Sequence, residues 1–282
     1  MRFTPYWYDA GAFIRCVCVH VYMETVTHHG RETAYRTVPG DGSGPVTLYV
    51  HGSGATHRLW SHQYAPGGPV HPAVAVDLSG HGDSEDVATA PGRETLHAYA
   101  ADVVAVARAV DATVLVGNSL GGAVTQWVAL ETDWEPAALV LAGTGPSLPV
   151  FDGLLEWLDD DFERAVEFLH GRDRLFHSAD DSLLGPSREQ MRAVGRRVTR
   201  RDFCTCDRFD VRDRLPAIDV PTLALCGEHD QLTPRSYHET LAGELPRGEF
   251  TVVSDAAHLA MLERPAAFDR AVDGFLTDAL GD

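Results

Sequence analysis

The stretch that decides the fold runs from Thr113 to Gly122 and reads Thr-Val-Leu-Val-Gly-Asn-Ser-Leu-Gly-Gly. Its first four residues are β-branched or aliphatic and predict a buried strand. The strand ends at a Gly-x-Ser-x-Gly pattern centred on Ser119, whose two glycines let a strand and a helix cross closely. This pattern is typical of a sharp strand-to-helix turn that holds a serine hydroxyl above a sheet edge. By itself it is fair evidence only, since chance would produce the spacing about 0.1 times per chain of this composition.

Short apolar runs alternate with helical patterns on both sides of this turn. An antiparallel hairpin is expected first, over Glu24–Val38. The predicted strands are Val46–Val50, Ala73–Asp77, Thr113–Val116, Ala138–Ala142, Thr222–Cys226 and Phe250–Val253. The predicted helices are Thr95–Val110, Leu120–Leu130, Arg235–Leu245 and Ala266–Leu280. The alternation predicts an α/β fold, with a mostly parallel twisted sheet flanked by helices on both faces.

One segment between Pro146 and about Leu215 lacks any strand pattern. It carries only helical stretches, Leu154–Leu169 and Ser187–Thr199, and we interpret it as a helical lid inserted between two core strands. The predicted core is therefore residues 23–145 and 216–282, with the lid at 146–215. Residues 1–22 are expected to form an extension outside the fold, with Met23 as the native start; a packed N-terminal strand or helix is the alternative.

Two further side chains that could act with Ser119 follow later predicted strands. Asp230 lies in the loop after the fifth strand, and His258 lies in the loop after the sixth. The carboxyl ends of parallel strands meet at one edge of an open sheet, so the three side chains should converge there. His258 would take the hydroxyl proton, and Asp230 would orient and stabilise the imidazole. Neighbouring Glu228 and Asp255 are weaker candidates for the acid.

A small, glycine-rich turn after the first predicted strand could complete such a site. Acyl transfer needs backbone N–H donors for the oxyanion, each worth about 3–4 kcal/mol in the transition state. We expect these donors to be the amides of Leu120 and Ser53. The residues predicted to bind substrate are Gly52, Gly54, Trp60 and Asn118. A large aromatic residue at position 60 is also typical of a hydrophobic core.

Taken together, these motifs resemble the α/β-hydrolase superfamily, in its lidded serine esterase-like branch. They are His-Gly-x-Gly at 51–54, Asp-x-x-Gly-His-Gly-x-Ser at 77–84, Gly-x-Ser-x-Gly-Gly at 117–122, Gly-x-x-Asp-x-x-x-Pro at 227–234 and Ala-His at 257–258. The resemblance implies hydrolysis of a carboxylic ester, thioester, lactone or activated carbon–carbon bond. Serine at position 119 disfavours the branches that use an aspartate nucleophile.

The residues favour a serine hydrolase that cleaves a small-molecule ester through an acyl-enzyme, with no cofactor and no metal. A carbon–carbon bond hydrolase or enol-lactonase of the aromatic-degradation type would use the same triad, so that alternative stays open. A ligand receptor without catalysis is a third interpretation, since one fold can host several functions.

The charge of the chain is unusual. Its 282 residues hold 41 Asp and Glu against 23 basic residues, all of them Arg, for a net charge of −18. This acidic, lysine-free composition resembles cytoplasmic proteins of salt-accumulating halophilic archaea; an Arg-biased genome without halophily is the alternative. The charge disfavours nucleic acid or an anionic membrane as partner. No apolar run approaches the roughly 18 residues of a membrane span, and the five cysteines form no Cys-x-x-Cys pair, so we expect reduced thiols in the cytoplasm.

A cluster of arginines in the predicted lid is the last feature. Arg188, Arg192 and Arg196 recur every four residues, where like charges repel by a few tenths of a kcal/mol. Either the acidic run over 156–167 neutralises them, which we favour, or they attract an anionic substrate such as a carboxylated ester or an acyl-CoA.

Overall fold

The computed structural model describes residues 22–38, 44–64 and 72–281, and all structural statements below concern these residues. Its strands form one eight-stranded sheet. They are β1 (Tyr22–His28), β2 (Arg31–Val38), β3 (Thr47–Val50), β4 (Ala73–Val76), β5 (Val114–Asn118), β6 (Ala138–Ala142), β7 (Thr222–Gly227) and β8 (Gly248–Val253). The order across the sheet is β1-β2-β4-β3-β5-β6-β7-β8. Strands β3 to β8 pair in parallel, and only β1–β2 and β2–β4 are antiparallel.

Helices connect the parallel strands. Those of the core are α1 (Arg93–Ala109), α2 (Leu120–Glu131), α7 (Arg235–Glu244), α8 (Ala260–Glu263) and α9 (Pro265–Leu280). Between β6 and β7 lie α3 (Asp152–Asp160), α4 (Phe162–Leu169), α5 (Asp181–Val194) and α6 (Arg196–Asp207), and we call residues 146–215 the insert. Short 3-10 turns occur at His57–Trp60 and Arg212–Ala217. The predicted α/β fold class is confirmed.

The sheet separates two hydrophobic layers because neighbouring strand residues point to opposite faces. Leu48 and Leu139 face a layer with α1, α2 and α7, whereas Tyr49 and Val140 face a layer with α9 and insert helices α3 and α4. Strands β3 to β6 are buried along their whole length, which explains why their sequences are continuous apolar runs.

The opening hairpin begins at Tyr22, two residues before the predicted start at Glu24 and one before the predicted core boundary. Tyr22 pairs with Thr37 as the first residue of β1, so assigning residue 22 to an extension outside the fold was wrong. The prediction for residues 1–21 concerns a part of the chain outside the described residues. His29 and Gly30 turn the hairpin with φ of 46° and 76°, the positive values that a tight two-residue loop requires.

The insert differs from its prediction in where its helices break. Leu154–Leu169 was expected as one helical stretch, but Asp161 ends α3 and caps α4 by accepting the backbone N–H of Arg164. Ser187–Thr199 was also expected to be continuous, but Gly195 adopts a φ of 85° and separates α5 from α6. Aspartate and glycine favour these breaks because one accepts free amides and the other tolerates left-handed backbone. Movement of the insert as a lid stays a prediction.

The described helices contain none that is both long and apolar enough to cross a membrane.

Candidate active site

Ser119 sits at the turn between β5 and α2, in the middle of the sheet. Its φ is 54° and its ψ is −116°, a conformation that non-glycine residues rarely adopt. The crossing around it is tight: a Cβ at Gly117 would collide with the carbonyl of Gly121, and a Cβ at Gly121 with that of Val50. The glycines of the motif are therefore required for the strand to pass directly into the helix.

Asp230 and His258 are joined by a hydrogen bond. The loops after β7 and β8 place His258 Nδ1 2.9 Å from Asp230 Oδ2, and both side chains are buried. Asp230 also accepts the backbone N–H groups of Leu232 at 2.8 Å and Thr233 at 3.0 Å, and the Thr233 hydroxyl at 2.7 Å. Burial opposes ionisation of this carboxyl, but the facing imidazole and these donors outweigh it and hold the pKa of Asp230 below its ordinary value.

Ser119 and His258 line the same cavity, whose volume is about 880 Å³. Asn118 connects their loops, since its side-chain amide donates to the carbonyls of Ala142, at 3.2 Å, and His258, at 3.4 Å. Gly143 also packs between them, because a Cβ there would lie 3.1 Å from His258 Nδ1 and 3.0 Å from Asn118 Nδ2. The structure thus places the predicted serine and histidine at one cavity and the predicted acid behind the histidine.

The predicted oxyanion donors lie on two sides of Ser119. Leu120 is the first residue of α2, where the amide has no acceptor within the helix. Gly52, Ser53 and Gly54 line the cavity, and a Cβ at Gly52 would lie 3.1 Å from the Cβ of Ser119. The Gly54 amide donates to Asp202 Oδ2 at 3.0 Å and is therefore already used. Leu120 and Ser53 stay the predicted donors.

Trp60 occupies a different place from the one predicted. It is 0% exposed and packs on Tyr49 and Phe268, with ring centroids 4.9 and 6.0 Å apart. It does not belong to the cavity lining. It ends the 3-10 turn His57–Trp60 and belongs to the same hydrophobic layer as Tyr49 and Phe268, which favours the core interpretation over the substrate-binding one.

The insert supplies much of the cavity wall. Its apolar lining residues are Leu148, Val150, Phe151, Leu154, Phe168, Leu175, Leu183, Met191 and Phe203. Phe151 is 60% exposed, so it lies at the border between the cavity and solvent. The insert also contributes polar side chains to the lining, among them Arg174, Glu189 and Gln190, so the wall combines a largely apolar surface with a few polar groups, as ligand pockets usually do.

The arginine cluster is paired with acidic residues. Arg192 lies 2.8 Å from Glu163, and Arg188 lies 3.1 Å from Glu167. Arg196 donates to the carbonyl of Asp159 at 2.8 Å. None of the three arginines lines the cavity. The ion pairs of Arg188 and Arg192 support the neutralising interpretation, whereas Arg196 binds a backbone carbonyl and not a carboxylate.

Among the residues that the structure describes, two groups of side chains could hold a metal ion, and both lie outside the cavity lining. They are Asp173, His177 and His229, and Glu228, His229 and Asp255. The rings of His177 and His229 are stacked, with centroids 3.7 Å apart and nearly parallel planes. The geometry gives neither group a part in the chemistry at Ser119.

Sequence reasoning missed two residues of the site. Thr233 was not among the predicted site residues, although its hydroxyl lies between Asp230 and His258 Nδ1, 3.2 Å from the latter. Asp202 was not singled out, because nothing in the sequence distinguishes a buried aspartate in the insert from its exposed neighbours.

Comparison with known proteins places this site in a family. The model of the alpha/beta hydrolase family matches residues 48–271. A pimeloyl-[acyl-carrier protein] methyl ester esterase of Klebsiella pneumoniae is 30% identical over 81% of this chain and 92% of its own length. The 3-oxoadipate enol-lactonase 1 of Acinetobacter baylyi is 22% identical over 92% of this chain and 97% of its own. Among solved structures, a thermophilic esterase has a TM-score of 0.79 at 30% identity, covering 92% of this chain and 98% of that one. The chain belongs to the alpha/beta hydrolase family and is a hydrolase.

Proposed function

We propose that this hydrolase cleaves small-molecule carboxylic esters through an acyl-enzyme, with Ser119 as nucleophile, His258 as general base and Asp230 as its acid partner. The observation that carries the proposal is the 2.9 Å bond from His258 Nδ1 to Asp230 beside a cavity that Ser119 also lines. Because Nδ1–H donates to the carboxylate, the other ring nitrogen, Nε2, is free to accept a proton.

The chemistry follows from these roles. His258 Nε2 takes the hydroxyl proton as Ser119 Oγ bonds to the ester carbon, and the carbonyl oxygen becomes an oxyanion that the amides of Leu120 and Ser53 would stabilise. The imidazolium then protonates the leaving alcohol as the carbon–oxygen bond breaks, which leaves Ser119 acylated. A water molecule, deprotonated by the same imidazole, releases the acid and restores the serine.

The apolar cavity wall supports an ester with a hydrophobic acyl or alcohol group, and the insert would act as a lid that selects it. The similarity to a pimeloyl-[acyl-carrier protein] methyl ester esterase and to a thermophilic esterase supports ester cleavage over other hydrolase reactions.

Lactone hydrolysis is the second candidate. It is favoured by the similarity to the 3-oxoadipate enol-lactonase 1, which extends over 92% of this chain. An enol-lactone is an internal ester, so the same attack at its carbonyl would open the ring and leave the product as one molecule.

Replacement of Ser119 by Ala tests the proposal. We expect hydrolysis of p-nitrophenyl esters to fall on the order of 10⁴-fold or more, with loss of labelling by a fluorophosphonate. Side-by-side rates on esters, an enol-lactone and a vinylogous diketone then distinguish ester, lactone and carbon–carbon hydrolysis. Wild-type protein that neither turns over these substrates nor reacts with the fluorophosphonate would instead support a ligand receptor.

A further inference from the structure

A carboxylate from the insert reaches the loop that carries a proposed oxyanion donor. Asp202 on α6 is 0% exposed, and its Oδ2 accepts the backbone N–H of Gly54 at 3.0 Å. The same oxygen lies 2.9 Å from His81 Nε2, while Oδ1 accepts the Tyr99 hydroxyl at 2.7 Å. One buried side chain therefore joins the insert, the loop after β3, the loop after β4 and helix α1.

The charge of this contact is set by the partners of His81. Its Nε2 lies 2.9 Å from Asp202 Oδ2 and its Nδ1 lies 3.2 Å from the carbonyl of Leu78, so each nitrogen faces an acceptor, an arrangement that favours the protonated ring. Burial disfavours the cation, but the Asp202 carboxylate outweighs it and raises the pKa of His81. The pKa of Asp202 is lowered, because its hydrogen bonds and the imidazolium outweigh its burial. The contact to Gly54 is thus a charge-assisted hydrogen bond, which is about twice as strong as a neutral one.

The loop Gly52–Gly54, whose Gly54 amide donates this hydrogen bond, has an unusual backbone conformation. Gly54 has a φ of 65°, and a Cβ there would lie 3.2 Å from atoms of both Met191 and Thr199. Insert residues therefore enclose Gly54 on its outer side. The neighbouring Ser53 hydroxyl lies 3.7 Å from Cys206 Sγ, also on α6.

We propose that Asp202 is a positioning residue for the oxyanion hole, which fixes Gly52–Gly54 so that the Ser53 amide faces the acyl oxygen. The proposal rests on the proposed ester hydrolysis. It gives helix α6 of the insert a fixed role in positioning the site, in addition to the substrate selection proposed for the insert. The remaining contacts agree with this, since Arg201 next to it donates to the carbonyl of Ser79 at 2.9 Å and to the Tyr99 hydroxyl at 3.0 Å.

The test compares two buried aspartates. Asp202→Asn removes the charge that holds Gly54, and we expect kcat to fall on the order of 10²-fold with KM changed less than about threefold. A boronic acid that forms a tetrahedral adduct on Ser119 should lose affinity in parallel. Rates are expressed per site titrated by a fluorophosphonate, so that partial unfolding does not lower them. If Asp202→Asn yields no folded protein, Asp202→Glu, which keeps a charge facing His81 but moves the carboxylate relative to Gly54, is expected to give the same split between kcat and KM.

Asp102→Asn is the matched control. Asp102 is equally buried but binds Arg31, at 2.7 Å, and the Ser79 amide, at 2.8 Å, away from the Gly52–Gly54 loop. Its replacement should lower Tm without changing kcat or boronate affinity. Ester hydrolysis that depends on Ser119 but keeps its kcat in the Asp202 variant overturns the positioning role alone. Absence of Ser119-dependent hydrolysis in the wild type overturns the proposed function, and the positioning role with it.

Discussion

Buried histidines around the site differ in charge because their partners differ. His51 Nε2 accepts the backbone N–H of Leu78 at 3.1 Å, and His238 Nε2 accepts that of Thr144 at 3.0 Å. A nitrogen that accepts cannot carry a proton, so both rings are neutral, and burial lowers the pKa of each to about 4. His81 instead faces acceptors with both nitrogens, and the Asp202 carboxylate raises its pKa, which favours the cation. A backbone amide thus fixes one protonation state and a carboxylate the other.

This difference predicts how folding stability depends on pH. Unfolded histidines titrate near 6.5, whereas His51 and His238 in the folded protein titrate at about 4, so the unfolded chain binds more protons between these values. The contribution of these neutral rings to the free energy of unfolding is fully present above about pH 6.5 and is lost as the pH falls toward 4. This contribution is roughly 3 kcal/mol for each ring. We expect Tm, measured in molar KCl to screen the net charge and in steps from pH 7.5 to 4.5, to fall steadily below pH 6.5.

His238→Gln is the control for this prediction. Glutamine offers an oxygen to the Thr144 amide but does not titrate, so the variant should show a shallower fall of Tm over the same range. His81 contributes in the opposite sense and mainly above pH 6.5, because its raised pKa lets the folded protein bind more protons than the unfolded chain there. Equal slopes for variant and wild type would contradict the assignment of His238 as a buried neutral ring.

At the residue scale, the site residues that the sequence predicted are those that lie in local motifs. Ser119, Asp230 and His258 each occupy a motif at the end of a predicted strand, and the structure brings them to one region. Asp202 could not be found in this way, since 148 positions separate it from Gly54 and only the folded chain brings them together.

Elements were predicted well where hydrophobic periodicity was strong. Strand β6 was predicted with its observed bounds, and α2 and α9 to within one residue at each end. The insert was predicted less well because its breaks at Asp161 and Gly195 depend on one capping side chain and one backbone angle. Helix breaks of this kind leave the spacing of apolar residues almost unchanged, so hydrophobic periodicity does not reveal them.

The close crossing of β5 and α2 can be tested by a pair of glycine replacements. Gly121→Ala places a methyl group against the carbonyl of Val50, where backbone must move, so we expect a loss of several kcal/mol and little folded protein. Gly274→Ala in α9 meets nothing within 4 Å and should stabilise the protein by roughly 0.5–1 kcal/mol, because alanine favours helix. Thermal unfolding of both variants measures the difference; a Gly121→Ala protein as stable as the wild type would contradict the crossing.

At the scale of the whole molecule, the net charge of −18 sets the conditions under which this fold is stable. Compaction brings the excess carboxylates closer together, so their mutual repulsion is larger in the folded state than in the unfolded one. The surface ion pairs offset little of it, because pairs such as Arg108 with Asp133 are exposed and individually weak. At molar salt the screening length falls to about 3 Å, which removes repulsion between distant carboxylates but spares the buried contacts of the site.

We therefore expect Tm to rise by roughly 5 °C or more between dilute buffer and molar KCl at pH 7.5. The matched control is the same comparison near pH 5.1, the isoelectric point, where the repulsion that salt can screen is absent and Tm should respond far less. A rise of equal size at both pH values would assign the effect to salting-out of apolar surface. No rise at pH 7.5 would contradict the adaptation to high salt that the lysine-free composition predicts, and would leave the Arg-biased genome as its explanation.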